Sequence, residues 1–495
     1  MRFETLPAYQ QLADLHEGVV SVEEYVGRIY DAIERGSCLN AYITLRDRGV
    51  VEKEVRERLE RLKRGEKLPL AGLLVAVKDN IVVRGLPTTC ASRMLEEYVP
   101  PYNATVVERL LAAGAVVIGK TNMDEFAMGS TSELSAYGPV RNPWSTDRVP
   151  GGSSGGSAVA VATGQASVAL GSDTGGSIRL PAAWTGVYGL KPTYGLVSRY
   201  GLVAYADSLE QIGPMARHPR DISMLMSVIA GFDERDSTSL RVSGWGELRR
   251  RPARPRVAVL MDLVEHPGVD ERIGKLVVRL AHRLASELGW EVGEVRLGDE
   301  KLFDLALKAY YVIATSEASS NLARYTGLLY GPRGRRIVEN VPWTRWFSEV
   351  RRSFGWEVKK RIFMGAFALS AGYRSALYEK ALVVRRVVRD RLLRLLRGWD
   401  ALLLPSCVSP PPRIGEATGD PLRLYALDLV TVLANLAGLP AITVPAGSVD
   451  GLPVGVQLLG DHLSDRALVE MAEELENTLG LYREPPAEPC GGGGG

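Results

Sequence analysis

Two glycine–serine clusters lie close together in the chain, "GGSSGGSA" at 151–158 and "GSDTGGSIRLPAAW" at 171–184, each embedded among apolar residues. A flexible linker would sit at a domain edge, whereas the neighbouring runs "AVAVATG" and "ASVALGS" read as core segments. A phosphate cradle requires G-x-x-x-x-G-K-[ST], or G-x-G-x-x-G opening a helix, and neither cluster supplies the lysine in place. The third option is a sharp turn that exposes a nucleophile. In "SDTGGS" consecutive glycines precede a serine, so the backbone can turn tightly and aim several N–H groups beside one hydroxyl. This reading makes Ser177 a nucleophile, with the N–H groups of Thr174, Gly175 and Gly176 as oxyanion donors.

The rest of the chain predicts an α/β protein. Residues 21–64 read as helices, since "SVEEYVGRIYDAIERG" carries a serine cap, early glutamates, 3.6-residue apolar spacing and a closing glycine. "LPLAGLLVAVKDNIVV" reads as a strand buried on both faces. "ATVVERLLAAGAVVIGKTN" reads as helix, glycine, strand. Residues 304–397 are largely helical in pattern, and "DALLLPSC" and "PAITVPAG" look like buried strands. Strands and helices alternate without a long linker, which favours one large domain over 1–484. Its parts are N-terminal helices (1–64), a catalytic core (65–215) and a helical substrate-side segment (about 300–400). The low-complexity end, 485–495, reads as a disordered tail.

Charge narrows the function. Lys plus Arg is 60 against 58 for Asp plus Glu, a formal +2, which argues against a chain whose main task is gripping a polyanion. The arginine run "RRRPARPR" at 249–256 reads as a solvated loop rather than a binding patch. Four cysteines without a C-x-x-C pair predict neither a zinc site nor a disulfide framework, so a reducing cytoplasm is the default. The polar N-terminus lacks the apolar core of a signal peptide, and no apolar run is long enough to span a bilayer. Only five glutamines stand beside abundant Arg, Glu, Val and Leu, a composition that hints at a hot-growing source.

A serine nucleophile needs a base. The five histidines all lie outside the clusters, though folding could bring one near. Lys78, ending the apolar run "LLVAVKDN", is the other candidate, because burial would lower its pKa and free an amine to accept a proton. On spacing alone the better reading is a strand-end lysine reaching to water.

The stretch "VPGGSSGGSAVAVATGQASVALGSDTGGSIRLPAAWTGVYGLKPTYGLVSRYG" resembles the amidase signature family, without a gap. The family implies a fold with a large mixed β-sheet covered by helices on both faces, and a Ser–cis-Ser–Lys triad. Carried over residue by residue, Ser177 matches the nucleophile, Ser153 the bridging serine after a cis peptide bond, and Lys78 the base. The resemblance thereby selects Ser153 over Ser154 and Ser157. Asp173 and Arg179 then read as braces of the nucleophile loop.

Further segments, among them "GKTNMDEFAMGSTSE" (119–133), "YYVIATSEASSNLARYTGLLYG" (310–331) and "LANLAGLPAITVPAG" (433–447), resemble the glutaminase components of tRNA-dependent amidotransferases within that family. Those components hydrolyse glutamine and pass ammonia to a partner that amidates Glu-tRNA(Gln) or Asp-tRNA(Asn). The resemblance implies that Tyr310, Arg361 and Asp428 bind the donor, with a guanidinium for its carboxylate and an aspartate for its ammonium. It also implies a heterotrimer with B and C subunits, with ATP, magnesium and most tRNA contacts on B and no cofactor here. The alternative is a stand-alone amidase of the same family acting on small amides. One departure is visible: 332–356 is richer in Arg and Trp than the family pattern.

Overall fold

Strands buried on both faces need cover on both sides, and here alternate strand residues feed two separate cores. Val257, Val259, Ala401, Leu403, Ile442 and Val444 point into one. Ala258, Leu260, Leu402, Leu404 and Ala441 point into the other. The first core is closed by helices that include Val22–Arg35, Thr105–Ala112 and Asp465–Leu479, the second by Lys301–Asn321, Trp356–Leu369 and Lys380–Leu395. This computed structural model describes residues 2–299, 301–332 and 342–490.

The strands are β1 (Tyr42–Leu45), β2 (Leu74–Lys78), β3 (Val116–Thr121), β4 (Val168–Asp173), β5 (Tyr188–Lys191) and β6 (Gln211–Ala216), then β7 (Arg256–Leu260), β8 (Glu291–Val295), β9 (Ala401–Pro405), β10 (Ala441–Val449) and β11 (Leu452–Gly460). They form one eleven-stranded sheet in the order β1-β3-β2-β4-β6-β5-β10-β11-β9-β7-β8. The sheet is mixed, as the family resemblance implied. β2 pairs parallel with both β3 and β4, while β4–β6, β5–β10 and β10–β11 are antiparallel.

Local chemistry explains the helix starts. Ser21 accepts a hydrogen bond from Glu24 N–H and caps Val22–Arg35, and Asp47 caps Arg48–Lys63 through Val50 N–H. Between them runs β1, which the helical reading of 21–64 passed over: it has four residues, too few to show a period. Likewise the strand expected across "LPLAGLLVAVKDNIVV" shrinks to Leu74–Lys78, because the flanking apolar residues lie in buried turns.

The cysteine reading is corrected. Cys38 and Cys490 form a disulfide across 452 residues of sequence, while Cys90 and Cys407 are buried thiols. Residues 485–490, expected as tail, are thereby tied to the N-terminal region, where Arg2 Nη1 also donates to the Ala487 carbonyl at 3.3 Å. Residues 491–495 and the 333–341 part of the Arg- and Trp-rich stretch lie outside the described residues. Among the described residues no helix is long and apolar enough to cross a membrane.

The arginine run behaves as a solvated loop up to Arg256, which opens β7. Arg249 pairs with Asp400, Arg250 with Glu470, Arg251 with Glu474 and Arg256 with Glu291.

Candidate active site

The carboxyl ends of parallel strands gather ligand-facing loops, and here β2 and β4 end side by side. Lys78 is the last residue of β2. Flanked by β3 and β4 and covered on both faces, it has no path to water and is fully buried. Its Nζ donates to Ser153 Oγ at 2.7 Å and to Ser172 Oγ at 3.0 Å. Burial lowers the amine to about 7, against the opposing pull of Asp124 and Asp173. The strand-end reading of Lys78 as a lysine reaching to solvent is therefore excluded.

Ser153 follows a cis Gly152–Ser153 peptide bond and stands just before the helix Gly155–Ala162. Ser177 stands just before the helix Arg179–Thr185, and its carbonyl accepts from Ser154 N–H at 3.1 Å. That bond stitches the two serine loops together. The Ser177 hydroxyl makes no hydrogen bond within the chain among the described residues.

The oxyanion reading needs one correction. Gly176 N–H donates to Asp173 Oδ1 at 2.9 Å, so it is not free to meet an oxyanion. The N–H groups of Thr174, Gly175 and Ser177 carry no hydrogen bond among the described residues, so the third available donor is the serine's own amide. Glycine is required at 175 for space: a Cβ there would stand 2.4 Å from the Tyr310 hydroxyl oxygen.

Asp173 and Arg179 form the brace that holds this loop. Both are fully buried and 3.0 Å apart. Arg179 also donates to Gln457, Asn435 and the Thr431 carbonyl at 2.7–2.8 Å. Burial alone would raise the Asp173 carboxyl, but Arg179 and the Asn435 amide bring it down to about 2.

A second cluster lies beside the nucleophile loop. Asp428 accepts from Ser130 Oγ at 2.7 Å and from Tyr311 OH at 2.6 Å. Burial raises its carboxyl to about 6, with Tyr311, Ser130 and Arg361 pulling the other way. Arg361 is anchored by Glu357 at 2.8 Å and by the Tyr205 hydroxyl at 2.7 Å, with Tyr205, Tyr311 and Tyr425 rings 5.4–5.5 Å from its guanidinium carbon. Its Nη2 is buried without a partner among the described residues. Thr431 ties the clusters together, since its hydroxyl donates to the Gly175 carbonyl and it lies one turn beyond Asp428. A buried cation with an unused donor and a buried carboxylate thus flank the serine, a pairing suited to a zwitterionic amino acid.

Lys78, Ser153, Ser177, Tyr310, Arg361 and Asp428 all fall in this region. Sequence reasoning missed Ser172, Ser130, Tyr311, Tyr205 and Glu357. The Glu357–Arg361 spacing of i, i+4 was the one available signal; the others come from loops and helices that only the fold brings together.

The Amidase family profile matches residues 21–469, and the chain belongs to that family. It is 49% identical over 471 residues to the A subunit of glutamyl-tRNA(Gln) amidotransferase from Sulfurisphaera tokodaii, covering 95% of this chain and 97% of that one. The A subunit of the same enzyme from Saccharolobus solfataricus is 49% identical, over 94% of this chain and 95% of its own. The crystal structure of the corresponding Thermotoga maritima protein superposes with a TM-score of 0.79 at 38% identity, covering 98% of this chain and 99% of that chain.

Proposed function

We propose that the chain is the glutamine-hydrolysing component of a tRNA-dependent amidotransferase, releasing ammonia for the conversion of Glu-tRNA(Gln), Asp-tRNA(Asn) or both. The observation that carries this reading is the pairing of Arg361 and Asp428 beside the serine. A plain acyl amide has no use for two buried opposite charges, whereas glutamine presents an α-carboxylate to the free Nη2 and an α-ammonium to the aspartate.

In the reaction, the neutral Lys78 amine takes the Ser153 proton while Ser153 takes the proton of Ser177. Ser177 Oγ attacks the carboxamide carbon, and the oxyanion meets the amides of Thr174, Gly175 and Ser177. Returning the proton along the relay expels ammonia and leaves a glutamyl ester on Ser177. Water, deprotonated through the same relay, then hydrolyses the ester to glutamate and restores the serine. The ammonia passes to a B subunit that activates the tRNA-borne acid with ATP and magnesium, in a heterotrimer completed by a C subunit. No residue of this chain is assigned to a cofactor.

The test is glutamine hydrolysis by the complex with B and C. Ser177→Ala removes turnover, and Arg361→Ala raises KM for glutamine at least a hundredfold through loss of a charge-assisted pair. If Arg361→Ala leaves glutamine turnover untouched, the donor assignment fails. A wild type that ignores glutamine but cleaves simple amides sinks the tRNA-linked reading.

A further inference from the structure

The helix Trp356–Leu369 has two faces with different duties. One carries Arg361 to the donor site and Gly365 against the neighbouring helix Lys301–Asn321, where a Cβ at Gly365 would meet the Thr315 carbonyl at 1.9 Å. The opposite face carries Trp356, Phe363 and Phe367, at i, i+7 and i+11, with Lys359 between them. Trp356 is 77% exposed and Phe363 75%. Phe367 lies against Tyr373 past the helix end, with ring centroids 4.4 Å apart and planes tilted by 40°. The adjoining helix Pro421–Ala426, joined through Tyr425 OH to Glu357 at 3.1 Å, leaves Leu422 80% exposed. Aromatic side chains in a row on a solvent face cost free energy unless something covers them.

The charge around this stripe says what kind of surface fits. Residues 342–397 hold fourteen Lys and Arg against four Asp and Glu, in a chain whose total is only +2. The remainder of the molecule is therefore net acidic, and the cationic excess is concentrated on this helical segment. Lys359 and Arg374 are both exposed beside the aromatic stripe. Aromatic anchors with arginine at the rim are the composition of protein interfaces. The aliphatic Leu422 offers nothing for a nucleobase to stack on, which favours protein over RNA.

We infer that the stripe Trp356, Phe363, Phe367 and Tyr373, rimmed by Lys359 and Arg374, is a docking surface for a protein partner with an apolar centre and a carboxylate rim. The partner's identity rests on the proposed function: it is the B subunit, seated on the helix whose other face holds the glutamine carboxylate.

The test uses the full chain and its purified B subunit, with affinity followed by interferometry and complex formation by size exclusion. Phe363→Glu weakens binding at least tenfold, and the pair Lys359→Glu with Arg374→Glu weakens it similarly while flattening its salt dependence. Both variants melt within about 2 °C of wild type, as exposed substitutions do. Binding of Phe363→Glu within twofold of wild type overturns the surface and leaves the functional reading standing. A tRNA mobility shift, or self-association, that Phe363→Glu abolishes while B binding persists also overturns it, in favour of RNA or a second copy. If wild type does not bind B at all, the functional reading falls along with it.

Discussion

Lys78 is where burial becomes chemistry. Only the neutral amine can act as base, and its folded pKa stands near 7. Glutamine kcat therefore rises through an acid limb centred near pH 7, and a limb still flat at pH 6 contradicts Lys78 as the base. Stability carries the matching sign. A free lysine titrates near 10.5 and the folded one near 7, so the unfolded chain binds more protons between those values. Stability thus rises with pH across that window, by about 1.4 kcal/mol per pH unit from this group. Lys78→Met should abolish turnover and remove that slope in denaturant titrations from pH 7 to 9. Asp428 predicts a separate effect. Protonation below about 6 removes the charge that meets the ammonium, so KM for glutamine climbs as pH falls below 6 while Ser177 chemistry is limited by Lys78. At this scale the sequence was readable where a motif existed. The glycine–serine clusters pointed to Ser177 from chain chemistry alone, whereas Lys78 stayed ambiguous until resemblance and then burial between two strands decided it. Ser130 and Tyr311 carried no local pattern and appear only because they converge on Asp428.

The loop 124–134 shows how one buried carboxylate can hold an element in place. Asp124 accepts from the N–H groups of Ser132 at 2.9 Å and Leu134 at 3.2 Å, which fixes the loop that delivers Ser130 to Asp428. The same carboxylate occupies the space a side chain at 152 would need: a Cβ on Gly152 would stand 2.1 Å from Asp124 Oδ2 and 2.6 Å from Thr131 N. Gly152→Ala is thus predicted to lose about 1–3 kcal/mol of stability together with activity, measured by denaturant melt and glutamine turnover. Asp124 also raises the Lys78 pKa by its charge. Asp124→Asn keeps an acceptor for the loop but removes that charge, so the acid limb of the kcat profile should move below pH 7. A limb that stays put, or moves up, would show that Asp124 acts on the loop alone. Sequence pattern located the elements around this loop, including the helix Thr105–Ala112 and β3. It gave no warning of the loop itself, because its order comes from hydrogen bonds to one side chain rather than from periodicity.

Across the whole molecule, the long-range features were the least legible. Apolar runs predicted an α/β class, yet the strand order and the antiparallel β10–β11 pair depend on contacts far apart in sequence. The Cys38–Cys490 bridge is the extreme case, joining residues 452 positions apart, and no spacing rule could have announced it. Its effect is nevertheless calculable in direction. Cross-linking residues so distant restricts the unfolded chain far more than it restricts the folded one, a contribution on the order of 6 kcal/mol in the loop-entropy picture. The bridge also ties down a C-terminal stretch that has few other anchors, among them Arg2 to Ala487. Since neither cysteine lies near Ser177, the bridge should matter for endurance and not for turnover. Cys490→Ser is predicted to leave glutamine kcat and KM unchanged at 25 °C while shortening the half-life of activity at high temperature. Dithiothreitol should do the same to wild type and nothing further to the variant. If the variant and the reduced wild type last as long as the oxidised chain, the bridge does not contribute to the barrier to unfolding. If turnover falls at 25 °C, the tail it secures reaches the active site by a route the fold does not show. Disulfide-rich proteins are known from hot environments, and the scarcity of glutamine and the arginine–carboxylate pairs at 249–256 fit the same pressure. Where the bridge forms is a separate measurement: thiols trapped at the moment of lysis show it either already oxidised in the cell or formed only on exposure to air.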